Sequence, residues 1–299
     1  MLSILIPTYN YHTFPLAEQL EKQALQLNVP FEIICVDDGS FGEINIKNQN
    51  INTLTNAKFI EHKKNIGSIG NRKYLANLAQ YDWLLFVDAD TLPETNSFLK
   101  DYVNSISTDV DVIFGGISYH ESLDDMDHSL RWRYGHKRET KSVEQRKKDI
   151  YRSIILGCFA IRKSLFIKIS ESINYNRYGL DILFTFLLKK AKSRVQHIHA
   201  PVVHLGLETN KAYLKKSESA IDTLYILYSD SSISISYSKL MKYYQILKSL
   251  ALSGLFSSLI NTRKEHLVTN LLSKNPNLFY FDLYRLAYLC SLKFKNSNS

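Results

Sequence analysis

The stretch Trp83-Leu84-Leu85-Phe86-Val87-Asp88-Ala89-Asp90 sets five apolar residues directly before two carboxylates. A short unbroken apolar run closed by a polar turn reads as a buried strand. Ligands of open α/β sheets sit beyond the carboxyl ends of the strands, so Asp88 and Asp90 are expected at a ligand-binding edge. Two carboxylates in i, i+2 relation can share one hard cation. Mg²⁺ and Mn²⁺ favour oxygen ligands and keep positions open for substrate phosphates. An isolated D-x-D also occurs in ordinary solvated turns; its place after a buried strand gives it weight here.

The same pattern recurs towards the N-terminus. Leu2 to Ile6 is an apolar run ending in Pro7-Thr8-Tyr9, and Phe31 to Val36 ends in Asp37-Asp38-Gly39-Ser40. Between them Leu16, Leu20, Ala24 and Leu27 share one face of a helix over 14–27, closed by Pro30. A stretch rich in Asn leads to a third strand at Lys58–Glu61. The segment Asn65-x-Gly67-x-x-Gly70-Asn71-Arg72 opens a helix to Leu78 with Ile69, Lys73, Ala76 and Ala79 near one face. Strands alternating with helices at this spacing call for right-handed crossovers and a parallel sheet. The three polar strand ends should then line one edge.

Each motif has a plain and a chemical reading. Asp-Gly-Ser ends strands as turn chemistry, yet a carboxylate there can accept from a base N–H or from ribose hydroxyls. The glycines at 67 and 70 allow close approach of backbone to a ligand, and Arg72 offers a planar fork for phosphate; the spacing is not that of a dinucleotide fingerprint. Beyond a fifth strand at Val110–Phe114, the segment Arg131–Arg152 is polar and expected to be partly mobile. Ile154–Ile161 is apolar again, Leu180–Lys190 is helical, and Val195–Ile198 and Val202–Leu205 are short strands. Of His197, His199 and His204, the last is the best candidate for a metal or phosphate contact. Asp181 opens a helix, where the dipole favours a carboxylate; it could also serve as a general base.

After Lys211 the character changes to helices, with Ile221, Leu224 and Tyr228 on one face and Leu240, Tyr243 or Tyr244, Leu247 and Leu250 on the next, separated by the Ser-rich 229–238. These helices either pack as a core or lie on a membrane with Lys239, Lys242, Lys248, Arg263 and Lys264 outward. Formal net charge is +8 over 299 residues. It concentrates in 131–152, with nine Lys/Arg against three Asp/Glu, and from 211 onward, with twelve against five. An anionic lipid or phosphorylated acceptor fits this distribution, as does a solvated basic surface; no nucleic-acid motif is present. Cys35, Cys158 and Cys290 read as buried free thiols of a reducing compartment. The start of the chain does not read as a signal peptide, and no run reaches the ~18 apolar residues of a membrane span. The expected location is cytoplasmic, with peripheral contact at the inner face of the cell membrane. Residues 295–299 are expected to be disordered.

Taken in order, SILIPTYN, IICVDDGS, NIGSIGNR, WLLFVDAD, ILGCFAIRKSLF, YGLDILFTFLLKK and PVVHLGLETN resemble family 2 glycosyltransferases of the GT-A fold, especially bacterial surface-polysaccharide members, over about residues 2–210. The resemblance implies a Rossmann-like, mostly parallel α/β sheet flanked by helices as a catalytic domain over 1–214, with a helical region over 215–299. It implies inverting transfer of a sugar from a nucleotide-sugar donor, UDP-linked in expectation, to a glycan or lipid-linked acceptor. Pro7, Thr8, Tyr9, Asp37, Asp38, Asn65, Gly67, Arg72, Asp88 and Ala89 would then contact the donor nucleotide. Asp88, Asp90 and His204 would hold Mn²⁺ or Mg²⁺, and Asp181 would be the catalytic base. The family usually carries Glu-Asp before the base helix, whereas this chain reads Gly179-Leu180-Asp181. Two other readings stand beside this one: a phosphohydrolase with Asp88 as nucleophile, although Leu92 departs from that motif, and a non-catalytic nucleotide-binding partner in a glycan-assembly complex.

Overall fold

The computed structural model describes residues 1–296. Of the tail expected to be disordered, residues 297–299 lie outside the described residues, while the last helix, Leu278–Asn296, takes in Lys295 and Asn296. The chain divides into two compact units, Met1–His120 with Glu139–Asn176 and Leu187–Gly206, and Glu121–Arg138 with Arg177–Phe186 and Leu207–Ser299.

The first unit contains ten strands: β1 (Leu2–Thr8), β2 (Phe31–Asp37), β3 (Ala57–Glu61), β4 (Trp83–Val87), β5 (Thr91–Pro93), β6 (Val112–Phe114), β7 (Ile117–Ser118), β8 (Cys158–Arg162), β9 (Val195–His197) and β10 (Val202–His204). Seven form one sheet in the order β3-β2-β1-β4-β8-β6-β9. β1 runs parallel to β2 and β4, placing Leu5 opposite Ile34 on one side and Phe86 on the other. Every residue of β2 and β4 is buried, as expected of strands covered on both faces. β8 runs antiparallel between β4 and β6, and Phe86, Phe159 and Phe166 stack within the core at 4.7–5.2 Å. The small sheet β5-β10-β7 starts where the chain leaves β4, directly after Asp90.

The helix Phe14–Leu25 carries proline in its first turn, where no N–H is needed, and buries Leu16, Leu20 and Ala24. The helix Ser68–Leu78 buries Ile69 and Ala76 as expected, with Ala79 just after it. The buried face is wider than expected, taking in Asn71, Arg72 and Leu75, and the half-buried Lys73 donates to Ile173 O at 3.3 Å. The Asn-rich stretch also folds, as a helix over Glu43–Asn48.

The basic segment 131–152 is ordered into short helices. Ser142 and Gln145 form a reciprocal capping box on Val143–Lys147. Arg146 is only 2% exposed. It donates to Phe114 O at 3.0 Å and Ile198 O at 2.7 Å, and its guanidinium lies 5.1 Å from the Phe114 ring. Phe114 O also accepts from Ile198 N at 3.1 Å, so Arg146 adds a second donor where the β6–β9 pair ends. Lys147 and Lys148 remain exposed, whereas Arg146 is a structural residue of the first unit. The three cysteines are free and buried; burial pushes the Cys158 thiol up to about 12.

The second unit is helical. Leu130, Tyr213, Leu214, Leu271, Phe281 and Tyr284 form its core, and Asn210 Oδ1 accepts from Leu130 N at 2.7 Å. The helix Asn210–Ser229 buries Ile221, Leu224 and Leu227. The helix Lys239–Ser249 decides between the two tyrosines: it buries Tyr244 with Met241 and half-buries Leu240 and Leu247, while Tyr243 and Leu250 are exposed. Tyr244 packs edge-on against Tyr225 and Tyr228, both centroids 6.5 Å away, and these aromatic contacts set the rotation. Among the described residues, no helix is long and apolar enough to cross a membrane.

Candidate active site

Three neighbouring strands, β2, β1 and β4, deliver their carboxyl ends to one edge, and the polar residues that follow them meet there. Asp38 N donates to Thr8 O at 2.8 Å, joining the first two ends. The Asp38 carboxylate accepts from Ile66 N at 2.7 Å and Gly67 N at 3.0 Å. Burial pushes this carboxyl up from the usual range, opposed by those two amides and by His62. Asp37 is fully buried and accepts from Ser40 N at 2.7 Å and from the Ser40 hydroxyl, so it shapes the turn. Gly39 has φ +77°, and a Cβ there would stand 2.7 Å from the Lys64 carbonyl carbon. The absence of a side chain lets the Asp-Asp-Gly turn lie directly against the loop that leads to Gly67. Thr8 is buried, Pro7 is half-buried, and Tyr9 is exposed. Asn65 Oδ1 accepts from Gly67 N at 3.1 Å.

Arg72 is buried rather than open to a phosphate. Its guanidinium donates to the Asp88 carboxylate, to Ser68 Oγ, and to Leu156 O at 3.3 Å. Asp88 is also held through its backbone, with its N–H donating to Gly157 O at 2.7 Å and its carbonyl accepting from Thr91 Oγ1 at 2.8 Å. Ala89 is buried. Asp90 faces β10: Leu205 N donates to its carbonyl at 2.8 Å, and His204 Nε2 stands 3.3 Å from its Oδ2. A Cβ at Gly206 would lie 2.3 Å from that same oxygen. Tyr11, which sequence reasoning missed, has its phenol pKa raised by burial and then by the charge of Asp90. Gly206 and Leu156 were missed as well.

The residues suit a divalent cation. Two adjacent ligands about 2.1 Å from an octahedral ion stand about 3 Å apart, close to the Asp90–His204 separation. His204 Nδ1 is buried with no hydrogen-bond partner among the described residues, so contacts with the surrounding protein leave its tautomer open. Among the described residues no group of three or more His, Cys, Asp or Glu is gathered to hold a metal ion: Asp90 and His204 meet, whereas the expected third ligand, Asp88, is paired with Arg72. His197 belongs to the core: its Nε2 lies 2.9 Å from Ile150 O, and burial lowers its pKa. His199 is exposed. Asp181 is exposed in the first turn of the helix Asp181–Lys190 and belongs to the second unit. There Gly179, at φ +89°, would set a Cβ 3.0 Å from Ala220, and Leu180 is buried.

With this edge in view, the sequence pattern of Glycosyl transferase family 2 matches residues 3–170, more than half of the chain. The chain belongs to glycosyl transferase family 2. The mannosyltransferase PcManGT of Pyrobaculum calidifontis, in complex with GDP-Man and Mn²⁺, superposes on this family 2 chain with a TM-score of 0.55. It is 12% identical, covering 99% of this chain and 86% of that one. Glucosyl-3-phosphoglycerate synthase of Mycobacterium tuberculosis, in complex with Mg²⁺ and UDP, gives a TM-score of 0.50 at 13% identity, covering 75% and 78%. These two likenesses establish the GT-A fold. TarS of S. aureus gives 0.46 at 19% identity; the match covers 76% of this chain but only 39% of TarS. No curated protein gives a significant match.

Proposed function

We propose that this family 2 chain transfers a sugar, with inversion, from a UDP-linked donor to a hydroxyl of a glycan or lipid-linked acceptor in bacterial surface-polysaccharide synthesis. The observation that carries this reading is the meeting of Asp38, the Arg72–Asp88 pair and the Asp90–His204 pair at one sheet edge. The fold neighbours solved with GDP-Man and Mn²⁺ and with UDP and Mg²⁺ support a nucleotide and a divalent cation as its ligands.

In this reading Asp38 accepts from the base or ribose, and Pro7, Thr8, Tyr9, Asn65 and Gly67 line the nucleotide. Arg72 acts through Asp88, fixing its carboxylate beside the diphosphate. Asp90 and His204 hold Mn²⁺ or Mg²⁺, which when bound neutralises the leaving diphosphate. A cation held by so few protein ligands takes the rest from substrate phosphates and water, so metal and donor should bind together. Asp181 takes the proton of the acceptor hydroxyl, and a single in-line displacement through an oxocarbenium-like state inverts the sugar carbon.

The second unit supports a peripheral membrane contact. Tyr243, Ile246 and Leu250 are exposed at i, i+3, i+7 spacing, and so are Leu252, Leu255 and Leu259. Lys239, Lys242, Lys248, Arg263 and Lys264 are exposed near them in sequence, a combination suited to an anionic lipid surface. A lipid-linked acceptor would be presented there.

Turnover of UDP- and GDP-sugars with Mn²⁺ tests the main reading. Sugar transfer that stops with chelator and falls sharply in Asp90→Asn is expected. Phosphate release without transfer would point to a phosphohydrolase, and binding without turnover to a non-catalytic partner.

A further inference from the structure

The helical unit contains a cavity of about 980 Å³ that uses none of the residues assigned to the donor edge. Its chemistry is selective. The segment 131–138 carries four cations, and two of them are answered by acids: Arg131 stands 3.5 Å from Glu208 and Arg138 stands 2.8 Å from Asp282. The other two, Arg133 and Lys137, line the cavity, and neither forms an ion pair among the described residues. Arg133 Nη1 donates to Pro276 O at 3.0 Å, which anchors one corner of a planar fork suited to phosphate. Lys137 lies in a π-helical turn, Gly135–Glu139. Such turns are rare and occur frequently at functional sites.

The remaining wall suits a sugar. Trp132 lines the cavity with its ring centroid 4.4 Å from that of His136, and the negative face of an indole attracts the C–H bonds of a pyranose. Asn270 and Asn277 also line it. Asn270 Oδ1 accepts from Asn277 N at 2.9 Å, and Asn277 Oδ1 accepts from Phe279 N at 2.9 Å. Each amide carbonyl is thus tied to backbone, which orients the NH₂ groups as donors to hydroxyl oxygens. Glu121, the one acidic lining residue, can accept from a hydroxyl. The volume lies at the upper end for small-molecule sites and exceeds one monosaccharide.

We infer that this cavity binds a phosphorylated sugar, with the ring on Trp132, the hydroxyls on the asparagine amides and the phosphate on Arg133 and Lys137. The inference stands apart from the donor-site reading and can fail independently of it. The chain has two tryptophans, and Trp83 is buried in β4 of the other unit, so fluorescence can report Trp132 locally. Titrating the full chain with glucose 6-phosphate, without metal or nucleotide, should give saturable quenching that is absent in Trp132→Phe. Arg133→Gln with Lys137→Gln should weaken binding at least tenfold and leave the affinity for UDP with Mn²⁺ unchanged. Lys137→Gln alone, at an exposed position, should weaken it several-fold even if the double variant folds poorly. A phosphodiester-linked disaccharide that binds more tightly than the monoester assigns the cavity to a glycan chain; the reverse order assigns it to a free sugar phosphate. Either order supports the inference. Equal binding of glucose or of inorganic phosphate, or quenching that survives in Trp132→Phe, would overturn it.

Discussion

Gly206 admits no side chain without displacing the Asp90 carboxylate, since even a methyl group would stand 2.3 Å from Oδ2. Gly206→Ala should therefore weaken Mn²⁺-dependent donor binding by about tenfold or more, roughly 1.4 kcal/mol, while the thermal midpoint of the free protein changes little. Calorimetry with UDP, with and without Mn²⁺, measures this; unchanged metal-dependent affinity would place the cation elsewhere. Asp181→Asn keeps shape and removes basicity. It should lower kcat by about 10²–10⁴-fold and preserve donor Kd, and a near-normal kcat would hand the proton to another group. Asp37, Asp38, Asp88 and Asp90 were legible because each directly follows an apolar strand. Tyr11 and Gly206 were not, because their meeting with Asp90 depends on how distant strands register. Arg72 was legible as a residue of the site but not as a buried partner of Asp88: one apolar-face count of its helix cannot say which polar residue turns inward.

Asp111 and Arg194 fasten two elements together, standing just before β6 and β9. Arg194 donates to the Asp111 carboxylate at 2.7 and 3.0 Å from its side chain and at 2.9 Å from its backbone. The hydrogen bonds from Arg194 hold the Asp111 carboxyl below its usual range. A depressed carboxylate contributes stability above its unfolded pKa, about 3.9, and that contribution is lost as pH falls through the folded value. Asp111→Asn should thus lower the urea midpoint at pH 7, with the two proteins converging below pH about 3.9; a gap that persists in acid would mean a packing effect instead. β1, β2, β3 and β4 could be read from apolar runs bounded by turn residues. The small sheet could not be read as such, because strands of two or three residues show no period. Nor could the antiparallel sense of β8, since an apolar run carries no direction.

At the scale of the molecule, the exposed stripes of 243–250 and 252–259 are the feature most open to test. Leu255→Ser with Leu259→Ser should reduce cosedimentation with anionic vesicles at least tenfold, since burying one leucine contributes about 1.5–3 kcal/mol. Unchanged vesicle binding would return the stripe to the solvent. Lys147→Glu with Lys148→Glu is the companion test of the basic segment and spares the structural Arg146. It should weaken binding to anionic vesicles or to a phosphorylated acceptor without altering donor affinity.

The two compact units exchange the chain five times, at 120/121, 138/139, 176/177, 186/187 and 206/207. Leu130 packs with Leu271 and Phe281, and Gly179 fits against Ala220, so each early insert in the helical unit relies on residues beyond 207. Recombination at a single breakpoint near 214 would transmit half of a packed core and leave the other half behind. Lineages carrying this architecture cannot readily trade one unit as a cassette. New specificities must accumulate by substitution within an inherited whole, and chimeras between relatives need several coordinated junctions to fold.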